Sequence, residues 1–227
     1  MSNPNANIDA VIVDFSKIFG FPNTAAIIVN KTFLFELKPS FPNNIIYAQV
    51  VGDNIIYSDE KRHDNTLQLN DLISIESGLE LFQILGYEKM KSHTINLRNI
   101  LYDQLSALTY SNDVSKCILY GNSRNTNILT FNILTNEKEY ISDKYVVRKA
   151  YNKSILIEYG CHSFPFSCSH HIGINENDIY KFYSQKNNDN AVSDMVNRKP
   201  IGAIRVSIGW YNTIDDINHL IELIKEI

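Results

Sequence analysis

The chain has 227 residues, of which 44% are hydrophobic, 20% charged and 11% aromatic, and its formal net charge is −4. This composition excludes an intrinsically disordered protein, and the length allows one large domain or two small ones with a buried core. An acidic balance offers no basic surface for the phosphate backbone, so no nucleic-acid partner is expected. No apolar run has the length of a membrane span, and the polar N-terminus does not resemble a secretory signal, so we expect a cytoplasmic protein that does not bind a membrane.

The first part of the chain predicts strand, loop and strand, because two short apolar runs between Asp9 and Val29 flank a Gly-Phe-Pro turn. Lys17 stands where the first strand ends. Apolar residues then recur at helical spacing from Asn65 to Leu108. They predict two helices that separate near Gly86, the second a long one that joins two lobes.

After the long helix, strands and helices alternate, which predicts an α+β lobe within an α/β protein. The predicted strands are Cys117–Tyr120, Ile128–Leu134, Ile155–Glu158 and Ala203–Gly209. The predicted helices are Val146–Tyr151, Glu176–Tyr183 and a closing helix N-capped by Thr213, with Asp215 and Asp216 in its first turn. We place one domain at residues 1–94 and the other at residues 95–227.

Two basic residues carry the first chemical hypotheses. Arg205 lies on an alternating strand, where its guanidinium could hold a small carboxylate through two parallel hydrogen bonds; the alternative is an arginine on an exposed strand face. Lys17 is either a surface lysine or, if Phe15, Ile18 and Phe19 desolvate it, an amine with a lowered pKa that forms a Schiff base with an aldehyde cofactor.

The thiols and histidines of the stretch "EYGCHSFPFSCSHH" raise two further possibilities. The spacing of Cys161 and Cys168 does not match structural zinc sites, so no metal is predicted, and an odd total of three cysteines favours reduced thiols. A hydrolase built on Ser163 and His162 is the weakest hypothesis, because the chain has no GxSxG elbow.

Four blocks resemble molybdenum cofactor sulfurases in order and spacing: "DFSKIFGFPNTAAIIV", "HDNTLQLNDLISIESGLELF", "GCHSFPFSCSHHIGIN" and "RKPIGAIRVSIGWYNTIDDI". The resemblance runs from about Asp9 to Ile227 and covers the C-terminal half of their class V aminotransferase-type domain. It implies part of a pyridoxal phosphate (PLP)-dependent transferase of fold type I, class V, with a truncated large lobe. Such enzymes resemble cysteine desulfurases, in which PLP activates cysteine and an enzyme thiol collects the sulfur as a persulfide.

The resemblance also implies roles for individual residues. Lys17 falls on the Schiff-base lysine, Arg205 on the arginine that holds the substrate carboxylate, and Thr66 on a residue that reaches the cofactor phosphate of a neighbouring subunit. Ser16, beside the lysine, joins Lys17 and Thr66 as a cofactor-contacting candidate. Cys161 and Cys168 match the outer cysteines of the family's GCxCxxxxC stretch, and His171 matches the histidine after it.

Four departures from the family pattern argue against cysteine desulfuration. Ser163 replaces the cysteine that carries the persulfide, and a hydroxyl cannot hold a transferable sulfur. Glu158 replaces a second arginine, which turns a carboxylate contact into a like-charge repulsion. Asp14 replaces a phosphate-binding serine, and Asn65 replaces a glycine.

We therefore expect a sulfurase-like protein that is impaired because Ser163 stands at the persulfide position and the N-terminal half is missing. Whether it is catalytic stays open; if it is, Arg205 orients an amino-acid substrate and Cys161 substitutes as the sulfur acceptor. The alternative is a non-catalytic interaction module or one half of a split PLP enzyme. The implied partner is a second copy in a homodimer or a polypeptide that supplies the missing half.

Overall fold

The computed structural model describes residues 8–19, 24–30, 32, 48–57, 69–121, 123–163, 165–185 and 195–227. The chain divides into two compact units, Met1–Gly86 and Tyr87–Ile227. The domain boundary predicted at residues 94 and 95 lies inside a helix of the second unit. Among the described residues, no helix has the length and apolar character needed to cross a membrane.

The first unit combines small antiparallel hairpins with helices. Its elements are β1 (Ala10–Asp14), α1 (Phe15–Phe19), β2 (Ala25–Val29), β3 (Ala48–Val51), β4 (Asn54–Tyr57) and α2 (Leu69–Leu85). β1 pairs with β2 and β3 with β4. The predicted strand pair is confirmed, and the short helix α1 that follows β1 was not expected.

The second unit contains a four-stranded antiparallel sheet and most of the helices. Its elements are α3 (Tyr87–Ala107), β5 (Cys117–Tyr120), β6 (Ile128–Ile133), α4 (Asp143–Tyr151), β7 (Glu158–Gly160), α5 (Pro165–Ile172), α6 (Glu176–Gln185), β8 (Met195–Val196), β9 (Lys199–Pro200), β10 (Ala203–Ser207) and α7 (Ile214–Glu226). The strand order in the sheet is β5-β6-β10-β7, and β8 and β9 pair separately. The two helices predicted to separate near Gly86 are confirmed as α2 and α3.

In the second unit, the sequence misplaced the strand before His162 and missed the helix α5. The strand predicted at Ile155–Glu158 begins only at Glu158, because Ile155 and Ile157 pack against the core from an irregular segment that does not join the sheet ladder. The strand predicted to end at Gly209 ends at Ser207. Helix α5 escaped prediction because its sequence, PFSCSHHI, contains few strong helix formers.

One face of the sheet is buried against helices and carries the main hydrophobic core. β6 and β10 alternate, so that every second side chain points to this face. Helices α3, α4 and α7 supply the other side of the core. The fully buried members include Leu101, Leu105, Phe131, Ile133, Val146, Ile204 and Ile224. The chemically active side chains of this unit are therefore expected on the opposite face.

Candidate functional site

Four cross-strand partners form a row across the opposite face of the sheet. Tyr120 on β5 is opposite Thr130 on β6, Thr130 is opposite Arg205 on β10, and Arg205 is opposite Glu158 on β7. Side chains of directly opposed residues project from the same face of an antiparallel pair. The register thus places Arg205 and Glu158 side by side.

Arg205 and Glu158 form an ion pair through Arg205 Nη2 and Glu158 Oε2. The Arg205 side chain is 30% exposed, whereas that of Glu158 is 63% exposed. The Nε–H group of Arg205 is buried and has no hydrogen-bond partner among the described residues. The guanidinium that the resemblance assigns to a substrate carboxylate is therefore occupied by a carboxylate of the chain itself.

His162 lies next to this ion pair. Its Nε2 is 3.2 Å from the carbonyl oxygen of Ala203, which can only accept a hydrogen bond, so Nε2 carries the proton in the neutral ring. Nδ1 is 3.9 Å from Glu158 Oε2. Burial, followed by the positive charge of Arg205, lowers the pKa of His162. The imidazole is therefore neutral near pH 7 and presents an acceptor nitrogen on this face.

Two glycine backbones meet beside His162. A Cβ atom at Gly202 would lie 2.3 Å from the Cα of Gly160, a distance that no side chain can occupy. Asn132 Nδ2 donates to the carbonyl oxygen of Gly202 at 3.2 Å and holds this strand end in place. The close approach brings Ile201, just before Gly202, next to Cys161, just after Gly160.

Cys161 and Cys168 both donate to one backbone oxygen. The distance to the carbonyl oxygen of Ile201 is 2.9 Å from Cys161 Sγ and 3.4 Å from Cys168 Sγ. The single S–H group of Cys168 therefore has two acceptors within reach, the Ile201 oxygen and the sulfur of Cys161. Sequence reasoning could not pair these cysteines, because their contact depends on how β7, α5 and Ile201 come together.

A cavity of about 290 Å³ opens above this part of the sheet. The row supplies Tyr120 and Thr130 to its wall, and the loop after β7 and helix α5 supply Cys161, His162, Ser167, Cys168 and His171. The size is at the lower end for sites that hold small molecules. Alternation along β5 and β6 was the signal that could have predicted Tyr120 and Thr130.

Ser163 follows His162 in a left-handed backbone conformation. The φ angle is 50° at His162 and 70° at Ser163, and Ser163 is exposed. No hydrogen bond among the described residues joins Ser163 to a histidine. The geometry therefore gives no support to a hydrolase built on this serine, since a nucleophile of that type needs an adjacent base.

Lys17 lies in the first unit, in the middle of α1, and is exposed. Of the two alternatives raised by the sequence, the exposure of Lys17 favours the surface lysine. Residues four apart lie on one face of a helix, so Phe15 and Phe19 stack together at 6.1 Å, and Lys17 falls on the other face. Phe19 also packs against Phe82 on α2, with ring centroids 5.1 Å apart.

The PLP implied by the resemblance needs an anion site near Lys17, and the residues there do not fit its phosphate. The backbone N–H of Ser16 donates to Asp14 Oδ1 at 2.9 Å. Hydrogen bonds from the Ser16 hydroxyl and then from its backbone lower the pKa of Asp14, which is therefore ionised. A phosphate at this turn would meet a carboxylate that already holds the available donors. Thr66 and Asn65 lie outside the described residues.

Comparison with known proteins places the chain in a family. The family model "Aminotransferase class-V" matches residues 3–220. The chain is 26% identical over 230 residues to the molybdenum cofactor sulfurase of Homo sapiens, covering 95% of this chain and 26% of the relative. It is 28% identical over 245 residues to the molybdenum cofactor sulfurase of Aspergillus fumigatus, covering all of this chain and 29% of the relative. The chain thus spans less than a third of the length of these relatives.

The fold is also found in a solved structure. The crystal structure of the cysteine desulfurase CsdA from Escherichia coli superposes with a TM-score of 0.71 at 14% sequence identity, over 96% of this chain and 46% of that one. The α/β fold predicted from the sequence is thereby confirmed. With a family model that matches almost from end to end and a shared fold, the chain belongs to the class V aminotransferase family.

Proposed function

We propose that this chain is a molybdenum cofactor sulfurase-like member of the class V family that does not desulfurate cysteine by itself. The observation that carries the proposal is the ion pair between Arg205 and Glu158. Members of the family use PLP, which supplies an electron sink for amino-acid chemistry when it is bound. The residues of this chain determine which amino acid, if any, reaches that chemistry.

A cysteine substrate would have to compete with Glu158 for Arg205. Binding of a free carboxylate costs translational and rotational freedom, whereas Glu158 is already held opposite Arg205 by the β7–β10 ladder. An incoming carboxylate would also be repelled by the negative charge of Glu158. The ion pair therefore closes this position to amino acids that bind through their carboxylate.

The sulfur-accepting step is impaired in the same part of the molecule. Ser163 stands where the resemblance places a persulfide cysteine, and its hydroxyl cannot carry a transferable sulfur.

Near Lys17, the carboxylate of Asp14 holds the donors that a phosphate would need. Each departure affects a different step, so restoring one of them is not expected to restore activity.

A binding experiment tests the role of Glu158. We expect L-cysteine to bind the wild-type chain no better than it binds the Arg205→Met variant, as followed by ligand-observed NMR. Glu158→Gln removes the competing charge with little change in size, and we expect it to bind cysteine about tenfold more tightly, an effect of about 1.4 kcal/mol. The double variant Glu158→Gln with Arg205→Met serves as the control and should lose this gain.

Sulfide release provides the second measurement. The wild-type chain with PLP and cysteine is expected to release no sulfide above the rate without protein. Release by the wild-type chain, or equal cysteine binding by the wild-type and Glu158→Gln chains, would show that the ion pair does not block the site.

A further inference from the structure

The thiols of Cys161 and Cys168 both point to the carbonyl oxygen of Ile201. They share the carbonyl oxygen of Ile201 as acceptor, at 2.9 Å and 3.4 Å, and the Cys168 thiol is in hydrogen-bonding contact with the sulfur of Cys161. The two cysteines reach this arrangement from different elements, the loop after β7 and the helix α5. Their sulfurs are therefore held close together by the fold and not by sequence proximity.

Both cysteines line the cavity above the sheet. Cys161 and Cys168 are half-buried and belong to the cavity wall. Cys117, the third cysteine, is 6% exposed and lies in the main core. Burial raises its pKa to about 12. Only the pair is therefore placed to react with a solute, and Cys117 serves as an internal control.

The number of available ligands restricts the kind of metal ion that the pair can hold. Over the described part of the chain, no group of three or more His, Cys, Asp or Glu residues converges. A structural zinc ion needs four ligands in a tetrahedral arrangement, which these residues do not supply. Thiolates bind Cu(I), zinc and iron–sulfur clusters. Of these, Cu(I) is the one that accepts linear coordination by two ligands, so it fits a pair of thiolates without a third ligand.

We propose that Cys161 and Cys168 form a two-coordinate site for Cu(I). Each thiol loses its proton to solvent and its sulfur forms a bond to the metal, so the step is an exchange of protons for a cation without oxidation or reduction. The metal takes the place of the S–H groups beside the Ile201 carbonyl. This site does not depend on the proposed function, because it uses neither PLP nor the Arg205–Glu158 ion pair.

The two neighbouring thiols shift each other's pKa in opposite directions. The hydrogen bond from Cys168 lowers the pKa of Cys161, and the same hydrogen bond, together with burial, raises the pKa of Cys168.

The test is a competition titration of the full-length chain with Cu(I) and the chelator bicinchoninate, under anaerobic conditions and with free thiols counted beforehand. We expect one Cu(I) bound per wild-type chain. Cys161→Ser and Cys168→Ser should each weaken the affinity by more than about a hundredfold, since even the loss of a residue that only supports a metal ligand costs up to that factor. Ser167→Ala, which changes the same cavity wall, and Cys117→Ala should leave the affinity unchanged.

X-ray absorption of the wild-type copper complex provides a measurement that does not depend on the folding of any variant. It should show two sulfur scatterers and no nitrogen ligand. The proposal is overturned if the wild-type chain binds Cu(I) no more tightly than the serine variants, or if Cys117→Ala abolishes binding. It is also overturned if the coordination shell contains nitrogen, or if Zn(II) binds equally tightly.

Discussion

Gly202 shows how a single residue fixes the geometry of the candidate site. Its backbone packs directly on Gly160, and this contact sets the position of the Ile201 carbonyl relative to Cys161. A methyl group at residue 202 would force the ends of β7 and β10 apart. The thiol pair and the sheet register therefore both depend on the absence of this side chain.

We expect Gly202→Ala to lower the free energy of unfolding by about 3 kcal/mol, the upper end of the usual cost of overpacking. Urea denaturation provides the measurement. Gly121→Ala is the matched control, because a Cβ there meets nothing within 4 Å although its φ is 79°. Gly121→Ala should lower the free energy of unfolding by about 1 kcal/mol, the cost of placing an alanine in the left-handed conformation. Equal losses in the two variants would contradict the close approach of the two glycines.

The N-terminus of α7 shows how much of an element can be predicted locally. Thr213 is the N-cap residue of α7, as predicted. Its backbone N–H donates to Asp216 Oδ2 at 2.8 Å. This hydrogen bond, followed by one from Asn212, lowers the pKa of Asp216 below its ordinary 3.8. A lowered folded-state pKa means that the stabilisation is present above about pH 3.8 and is lost as the pH falls through the folded-state value.

We expect Asp216→Ala to lower the free energy of unfolding by about 1 kcal/mol at pH 7, the typical value of a helix cap. The difference from wild type should shrink as the pH falls below 3.8, where the carboxylate becomes protonated. Chemical denaturation at several pH values measures both effects. Asp215→Ala removes a neighbouring charge but no capping hydrogen bond, so it should lower the free energy of unfolding by less. An equal loss would mean that Asp216 stabilises the helix through its charge and not through the cap.

Register is the feature at the element scale that the sequence did not predict. The strand at Arg205 was predicted, but its pairing with Glu158 was not, because β7 was placed three residues too early and its partner strand was unknown. Strand alternation predicts which side chains share a face within one strand. The opposite neighbour comes from a distant segment, and local patterning carries little information about it.

The two units of the molecule differ in how well they can support a fold by themselves. The second unit has a continuous core that runs from Leu97 to Ile224. Among the described residues of the first unit, Ile75 is the one buried large apolar side chain, whereas Ile12, Ile27 and Ile84 are 72%, 65% and 82% exposed. Ile12 and Ile27 are directly opposite across the β1–β2 ladder, so their exposed side chains lie side by side.

We expect a fragment of residues 87–227 to fold cooperatively, because its hydrophobic core is complete. A single sigmoidal transition in thermal denaturation, followed by circular dichroism, would establish this. A fragment of residues 1–86 should show no such transition. Loss of the transition in the larger fragment would mean that the core needs the first unit.

The sequence by itself determined the properties that depend on neighbouring residues: the helices separated near Gly86, most of the strands, the cap of α7 and the family. These follow from periodicity, capping chemistry and motif order, all of which are local. The tertiary structure alone decided that Glu158 forms an ion pair with Arg205, that Cys161 and Cys168 share one carbonyl oxygen and that Lys17 is exposed. Each of these features depends on segments that are distant in the sequence. Their contacts depend on distances between atoms that exist only in the folded chain.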